Sequence, residues 1–450
     1  MRIYRINGSG PLNGTVRING CKNSVVAILP ATILVRGVCR LTNVPDISDI
    51  RLELKMLEEL GAKVDASCLA SENIIKIDTS DLRPKPITAD FADKFRASYY
   101  FWSVMTARFG RCYSALPGGD DICGKKGRPV NYHTDLLKAL GATVIEIPDS
   151  YDPKYINISL DDDGLFRGAE IDGRFSVGAT INAMLASVLA DGPTVIKKAA
   201  MEPHIVDVAN FLNICGANIT GAGTPVIKVG GRDRNYCCAE DYGKEGVRLL
   251  HGGEYDVMPD QIEAGTYMLA VAAAGGDVNL ENLTPQHLDT VINTLMQCGA
   301  TIECSFYDMI RVKADRRMDA CSITTAPHPG FPTDLQAQFS AMLATANGKS
   351  SVTESIWQNR FKYANELVKM GADITRLNDR HIDIFGLDRL RGADTVCPDI
   401  RGGAAIIIAA LTADGTTTIR GVEHIERGYQ DIVGKLSAIG ADISIEETED

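Results

Sequence analysis

The sequence predicts an α/β (α+β) fold of two domains, each assembled from three like units. Three observations lead there. The chain has 450 residues, too many for one ordinary core and well suited to two. A short segment, apolar-Gly-Ala-x-apolar, recurs six times, and a second glycine precedes five of these segments at a nearly constant distance. Six units in 450 residues give 75 residues per unit.

The six segments are Leu60–Val64, Leu140–Val144, Cys215–Ile219, Cys298–Ile302, Met370–Ile374 and Ile439–Ile443. Each follows a stretch with helical apolar spacing, such as Ile50, Leu54 and Leu57, or Ile432, Leu436 and Ile439. The glycine stops the helix in the left-handed conformation, and the alanine admits a closely packed strand. The preceding glycines, each expected to end an Ala-rich helix, form the pairs Gly37/Gly61, Gly192/Gly216, Gly276/Gly299, Gly348/Gly371 and Gly415/Gly440. Their spacings are 24, 24, 23, 23 and 25 residues. β-Branched strand residues follow the first member of each pair. Each unit therefore reads helix, strand, helix, strand and a further strand.

Two irregularities interrupt the pattern. Gly110 to Gly141 spans 31 residues, and the excess falls in Leu116–His133, a loop rich in Gly, Asp, Lys and Arg. An added polar loop in one copy of a packing unit is a natural place for function. The polar stretch Gly231–Gly253 reads as the boundary between the two domains. The domains are then 22–230, carrying the loop 116–133, and 1–21 with 231–450.

Composition narrows the function. Hydrophobic residues at 45% and charged residues at 23% fit a soluble globular chain. A net charge of −12 argues against nucleic acid and anionic membranes as partners, while leaving room for a local basic pocket. The longest apolar run, Ala404–Leu411, is far short of a membrane span, and the N-terminus lacks a signal-peptide core. The twelve cysteines contain no C-x-x-C pair, so free thiols in a reducing cytoplasm are expected, with the vicinal Cys237–Cys238 unassigned. Gly8, Gly10 and Gly14 do not have dinucleotide spacing, and Gly348-Lys349-Ser350 lacks the leading glycine of a phosphate loop. The histidines form no metal-ligand pair, so neither cofactor nor metal is expected.

What remains is a set of cations beside Gly, Asn or Asp at helix starts and loop ends: Lys22 next to Asn23, Arg96, Arg128, Arg174, Arg360, Arg401 and Arg427. Helix N-termini and guanidinium forks at such places bind phosphates and carboxylates. An acidic chain that gathers them suggests a small polyanionic substrate.

The sequence resembles the enolpyruvyl transferases along its whole length. The resemblance is carried by GCKNS, FRASYYFW, LPGG, GRPVNYH, SVGAT, EPHIVD, MPDQIEAGT, TAPHPGFPTDLQAQF, QNRF, DIRGGA and HIERGY. The long TAPHPGFPTDLQAQF points to the UDP-sugar branch of the family. The resemblance implies a two-domain inside-out α/β barrel with six βαβαββ repeats, three per domain, the first strands belonging to the second domain. It also implies addition–elimination between phosphoenolpyruvate and UDP-N-acetylglucosamine without a cofactor, while the oligomeric state stays open. By family motif, Lys22 and Arg128 would hold the phosphate and Arg401 and Arg427 the carboxylate. Asn23 would contact the sugar, Asp334 would be the base at its 3-hydroxyl, and Asp399 would take part in proton transfer. Arg96, the segment Arg128, Pro129, Val130, Asn131 and Tyr132, the residues Arg174, Ser176, Val177 and Gly178, and Ile356 would bind the nucleotide-sugar. Helix capping is the competing structural role for Asp334 and Asp399, since each precedes a helical run.

The chain departs from the family pattern in places. Asp120 follows LPGG where the family usually has the cysteine that serves as the acid and reacts with epoxide inhibitors. With Asp121 adjacent, one of the two carboxyls would be expected to hold its proton and donate it, and Cys123 is the other candidate. Asn131 replaces the aspartate that reads the base, Gln358 a glutamate and Met201 an arginine. These changes leave open a transferase for a different hydroxyl acceptor. A non-catalytic, clamp-like relative is the alternative from another class.

Overall fold

The computed structural model describes residues 2–8, 10–118, 130–146, 155–231, 249–305 and 307–447. The chain folds as two compact units, one nested in the sequence of the other. The inserted unit comprises Gly20–Asp120 and Pro129–Met258, and the flanking unit Met1–Asn19 and Pro259–Asp450.

Each unit holds three main sheets, and five of the six share one pairing pattern, a strand parallel to its neighbour followed by two antiparallel ones. In the inserted unit Leu250–Asp256 runs parallel to Val35–Thr42, then come Ile75–Asp78 and Lys63–Asp65. A second sheet joins Glu170–Asp172, Thr194–Lys197, Val226–Val229 and Ile219–Thr220 in the same sense. The third, Arg111–Ala115, Tyr155–Ser159 and Thr143–Glu146, keeps its parallel edge only as a bridge from Ile87 to Ser114. The flanking unit repeats the pattern with Leu12–Arg17, Gly276–Glu281, Met309–Ala314 and Thr301–Cys304. It does so again with Ser322–Thr324, Lys349–Thr353, His381–Phe385 and Asp373–Asn378. Its last sheet takes Asp394–Val396, Thr416–Arg420, Arg2–Asn7 and Ile443–Glu447, so the first strand of the chain lies between two of its last. A two-residue pair, Leu390–Arg391 with Ala413–Asp414, stands beside these.

One helix per repeat is mainly apolar and buried on nearly every side: Lys22–Ala31, Tyr100–Phe109, Val177–Ser187, Gln261–Ala274, Gln336–Leu343 and Ile400–Leu411. Helices of the other kind are amphipathic. Ser48–Leu60 buries Ile50, Leu54 and Leu57, the spacing that announced it. It stops at Gly61, whose φ of 104° only glycine adopts without strain. All twelve repeat glycines, including Gly110 and Gly141, have positive φ. Each unit has its own core, around Phe101, Trp102 and Phe211 in one and Tyr267, Phe339 and Phe361 in the other.

Two expectations are corrected. The first glycine of a pair does not always end a helix. Lys22–Ala31 gives way to a 3-10 turn at Thr32–Leu34, and Gly37 lies inside the next strand, where the pairing with His251 and Gly253 shifts register. The boundary expected at residue 230 falls at Met258/Pro259, because Leu250–Asp256 supplies the parallel edge of the first sheet of the inserted unit. The loop residues 119–129 and Cys237–Cys238 lie outside the described residues. Among the described residues no helix is long and apolar enough to cross a membrane.

Candidate active site

In the flanking unit two arginines from the sequence-derived set of cations converge on one carboxylate, that of Asp334. Asp334 sits in the 3-10 turn Thr333–Leu335, ahead of the buried helix Gln336–Leu343. It does not cap that helix. Its Oδ1 accepts from Arg360 Nη2 at 2.6 Å and its Oδ2 from Arg401 Nη2 at 3.2 Å. Partial burial works to raise the carboxyl pKa, but the guanidinium groups of Arg401 and Arg360 outweigh it and hold Asp334 well below the usual carboxylate range.

Arg401 occupies the first turn of Ile400–Leu411, and Asp399 is that helix's N-cap. The Asp399 carboxylate accepts the backbone N–H of Arg401 at 2.9 Å and of Gly402 at 2.8 Å. The structure thus gives Asp399 the capping role that its position before a helix allowed, and through it fixes Arg401. Arg401 also donates to the Tyr429 hydroxyl at 3.2 Å, and Gln338 donates to the same oxygen at 3.2 Å.

Arg360 is held from behind. Its Nη1 donates to Thr333 Oγ1, and Thr333 donates to Glu354 Oε2 at 2.7 Å. Glu354 is fully buried, and its Oε1 accepts the backbone N–H groups of Ile356 and Trp357 at 2.8 and 3.0 Å. Arg427 follows the short helix Glu423–Glu426, in the same unit.

The inserted unit carries the remaining candidates in two groups. Lys22 opens the helix Lys22–Ala31 with Asn23 next to it, and only 8% of Lys22 is exposed. Its ammonium pairs with Asp49 at 2.7 Å, in the first turn of Ser48–Leu60. One turn on, Glu53 is fully buried, and burial with the nearby Asp49 charge pushes its pKa well up.

The second group surrounds the start of helix Val177–Ser187, where first-turn N–H groups have no intrahelical acceptor. Ser176 caps it, accepting from the Ala179 N–H at 3.4 Å. Gly178 is required there. A Cβ would stand 2.7 Å from His133 Cε1 and 2.8 Å from the Tyr99 hydroxyl. His133 stacks on Tyr99 at 4.1 Å between centroids, and the Arg96 guanidinium lies 5.7 Å from the same ring's centroid. Ser103 donates to Asn182 Oδ1 at 2.6 Å, which turns the Asn182 amide to donate to His133 Nδ1 at 2.8 Å. The His133 proton is therefore on Nε2. Burial, with the Arg96 charge, pushes its pKa down to about 3, so the ring is neutral. Val130 precedes the helix Asn131–Ala139, with Asn131 and Tyr132 exposed on its first turn. Arg174 sits 4.7 Å from the Tyr132 ring centroid and pairs with Asp135 at 3.0 Å. Arg174 and Phe175 both have left-handed backbones, φ 53° and 54°, a local strain just before the helix start.

Asp120, Arg128 and Pro129, with Asp121 and Cys123, lie outside the described residues. The structure brings together Asp334 with Arg401, and Arg96 with Gly178 and Tyr132 with Arg174. The sequence assigned nothing to Asp49, Tyr99, His133, Glu354 or Tyr429. Arg360 was visible as a cation before a helix, whereas Asp49 and Glu354 needed tertiary contacts to be found. Among the described residues no group of His, Cys, Asp and Glu could hold a metal ion.

Comparison with known proteins gives a consistent picture. The family model for EPSP synthase (3-phosphoshikimate 1-carboxyvinyltransferase) matches residues 6–436. UDP-N-acetylglucosamine 1-carboxyvinyltransferase 3 of Caldanaerobacter subterraneus subsp. tengcongensis is 42% identical over 445 residues, covering 98% of this chain and 99% of that protein. The UDP-N-acetylglucosamine 1-carboxyvinyltransferase of Clostridium botulinum is 42% identical over 444 residues, covering 98% and 99%. Among solved structures, the enolpyruvyl transferase NikO from Streptomyces tendae superposes with a TM-score of 0.83 at 23% identity, over 99% of this chain and 98% of its own. EPSP synthase from Acinetobacter baumannii gives 0.71 at 18%, over 99% and 100%. These two likenesses establish the fold.

Proposed function

The chain belongs to the EPSP synthase family of enolpyruvyl transferases, and from that premise we propose that it transfers the enolpyruvyl group of phosphoenolpyruvate to the 3-hydroxyl of UDP-N-acetylglucosamine. In this reading it acts in the cytoplasm at the first committed step of peptidoglycan synthesis. The observation that carries the reading to the residue level is the Asp334 carboxylate gripped by Arg360 and Arg401. A carboxylate beside cations on a helix start serves both a hydroxyl that must lose a proton and a carboxylate that must be held.

The reaction runs in two stages. The sugar 3-oxygen bonds to C2 of phosphoenolpyruvate while C3 gains a proton, giving a tetrahedral intermediate. That intermediate loses phosphate from C2 and a proton from C3, which restores the double bond in the enolpyruvyl ether. Asp334 takes the hydroxyl proton and Asp120 delivers the proton to C3. Lys22 and Arg128 balance the phosphate charge, and Arg401 and Arg427 the carboxylate. Asn23, Arg96, Pro129, Val130, Asn131, Tyr132, Arg174, Ser176, Val177, Gly178 and Ile356 orient the nucleotide-sugar.

Asp334 held by two guanidinium groups is a weak base. The donor's carboxylate competes for Arg401 and frees Oδ2, so binding of the second substrate prepares the base. Lys22 behaves in parallel, leaving Asp49 for phosphate.

Purified protein incubated with phosphoenolpyruvate and UDP-N-acetylglucosamine is expected to release phosphate stoichiometrically with the enolpyruvyl ether. Release with neither this acceptor nor a panel of other hydroxyl acceptors sinks the reading. Release with another acceptor alone moves it to a different substrate.

A further inference from the structure

We propose that Glu354 is a positioning residue for the transfer reaction, setting the base and the acceptor-binding backbone from one buried carboxylate. The inference rests on the reading of Asp334 as base and Ile356 as an acceptor contact. Its two oxygens divide the work. Oε2 accepts from Thr333, whose oxygen in turn accepts from Arg360 Nη1, while Arg360 Nη2 donates to Asp334 Oδ1 at 2.6 Å. Oε1 accepts the N–H groups of Ile356 at 2.8 Å and Trp357 at 3.0 Å.

The arrangement is rigid on both arms. Thr333 adjoins Asp334 in the same 3-10 turn, so one side chain fixes the turn and its neighbour's partner together. The Arg360 side chain is only 9% exposed, and its two terminal nitrogens are committed to Thr333 and Asp334. The backbone of Glu354 is itself anchored, its N–H donating to Arg380 O at 2.8 Å and its carbonyl accepting from Arg380 Nη1 at 3.1 Å. Ser355 donates its N–H to Thr325 Oγ1 at 2.9 Å. Of the two contacts on Asp334, that from Arg401 is the longer, at 3.2 Å against 2.6 Å, and is the one a substrate carboxylate can draw away. A carboxylate so constrained presents Oδ2 in one direction, which is what a proton acceptor for a bound hydroxyl requires.

The two arms can be cut separately. Glu354→Gln keeps an acceptor for the Ile356 and Trp357 N–H groups but puts an amide donor where Thr333 donates. Thr333→Val removes the hydroxyl and nothing else of size. Both are expected to lower kcat about tenfold or more, with the KM for UDP-N-acetylglucosamine within about twofold of the parent. Glu354→Ala cuts both arms, and is expected to lower kcat similarly and raise that KM about tenfold as well. Thr333→Ser keeps the hydroxyl and recovers most of the rate. A kcat within about twofold of the parent for both Glu354→Gln and Thr333→Val overturns the proposal, and so does equal loss in Thr333→Ser and Thr333→Val. If the parent does not turn over this substrate pair, the function reading fails. The positioning claim is then decided by the crystal structure of the Thr333→Val protein, where Arg360 still at hydrogen-bond distance from Asp334 overturns it and a displaced Arg360 supports it.

Discussion

Replacing Asp334 by alanine strips the partner from two buried cations, and the cost can be worked from the geometry. The side chains of Arg360 and Arg401 are each 9% exposed, while Asp334 retains 29%. At contacts of 2.6 and 3.2 Å, an effective dielectric constant near 20 gives gross attractions of about 6 and 5 kcal/mol. Desolvation returns much of this, and removing one partner of a buried pair typically costs about 3–5 kcal/mol. The residual exposure of Asp334 favours the lower end, about 3 kcal/mol. With a urea dependence of about 3 kcal/mol per molar, the unfolding midpoint falls by about 1 M. The chain's two tryptophans report separately, Trp357 from the flanking unit and Trp102 from the inserted one. Urea unfolding followed by fluorescence in a Trp102→Phe background therefore reads the relevant unit. Asp334→Ala combined with Arg401→Met relieves one unpaired cation, so the pair should be less harmful than the sum of its members by about 1 kcal/mol or more. Because the folded carboxyl lies below its unfolded value of about 3.9, the stabilisation is present above that pH and is lost as pH falls. A midpoint for Asp334→Ala within about 0.2 M of the parent, or strict additivity in the double variant, refutes the reasoning.

Three more outcomes are expected. Burial pushes Asp207 up to about 6 despite the hydrogen bond from the Tyr255 hydroxyl, so its carboxylate form destabilises the inserted unit. That contribution is favourable below pH about 4 and is lost as pH rises through 6. Asp207→Asn should therefore gain stability relative to the parent by up to about 3 kcal/mol at pH 8 and nothing at pH 4, measured as the difference between their urea midpoints. Gly403→Ala would set a Cβ 2.4 Å from Cys397 Sγ and 2.5 Å from Ile425 Cγ1, displacing the helix that carries Arg401. It should cost about 1–3 kcal/mol and raise the KM for phosphoenolpyruvate, whereas Gly371→Ala, with φ 89° and open space, should cost stability but not KM. Asp120 in place of a thiol should leave phosphate release unaffected by fosfomycin-type epoxides, and mass spectrometry showing inactivation with an adduct on Cys123 would reverse the assignment of the acid.

Much of the architecture could be read from one residue type. Ten glycines at nearly constant spacing, with Gly110 and Gly141 set wider apart, located the units, and every one of the twelve has the positive φ that explains its presence. The helices between them were legible because apolar spacing there is either amphipathic, as at Ile50, Leu54 and Leu57, or continuous, as in Ile400–Leu411. The boundary near 258 was not legible, since the pairing of Leu250–Asp256 with Val35–Thr42 joins segments some two hundred residues apart. The cations at helix starts were visible one by one. Their partners were not, because Asp49 on Lys22 and Glu354 behind Arg360 read in sequence as ordinary surface acids. Asp399 shows the converse, a residue whose local position before a helix described its hydrogen bonds better than its motif did.

The nesting of one unit inside the other orders the events of synthesis. Strand Arg2–Asn7 is made long before its partners, Thr416–Arg420 and Ile443–Glu447. At translation rates of about 5–20 residues per second, that strand waits roughly 20–80 s for the first of them. The inserted unit closes its opening sheet once Leu250–Asp256 has emerged, and can fold while the flanking unit is still incomplete. During this interval Ile3, Tyr4 and Ile6, all buried in the finished protein, stand on a strand with two open edges. A nascent chain halted near residue 300 would thus present a folded inserted unit preceded by an unpaired apolar strand.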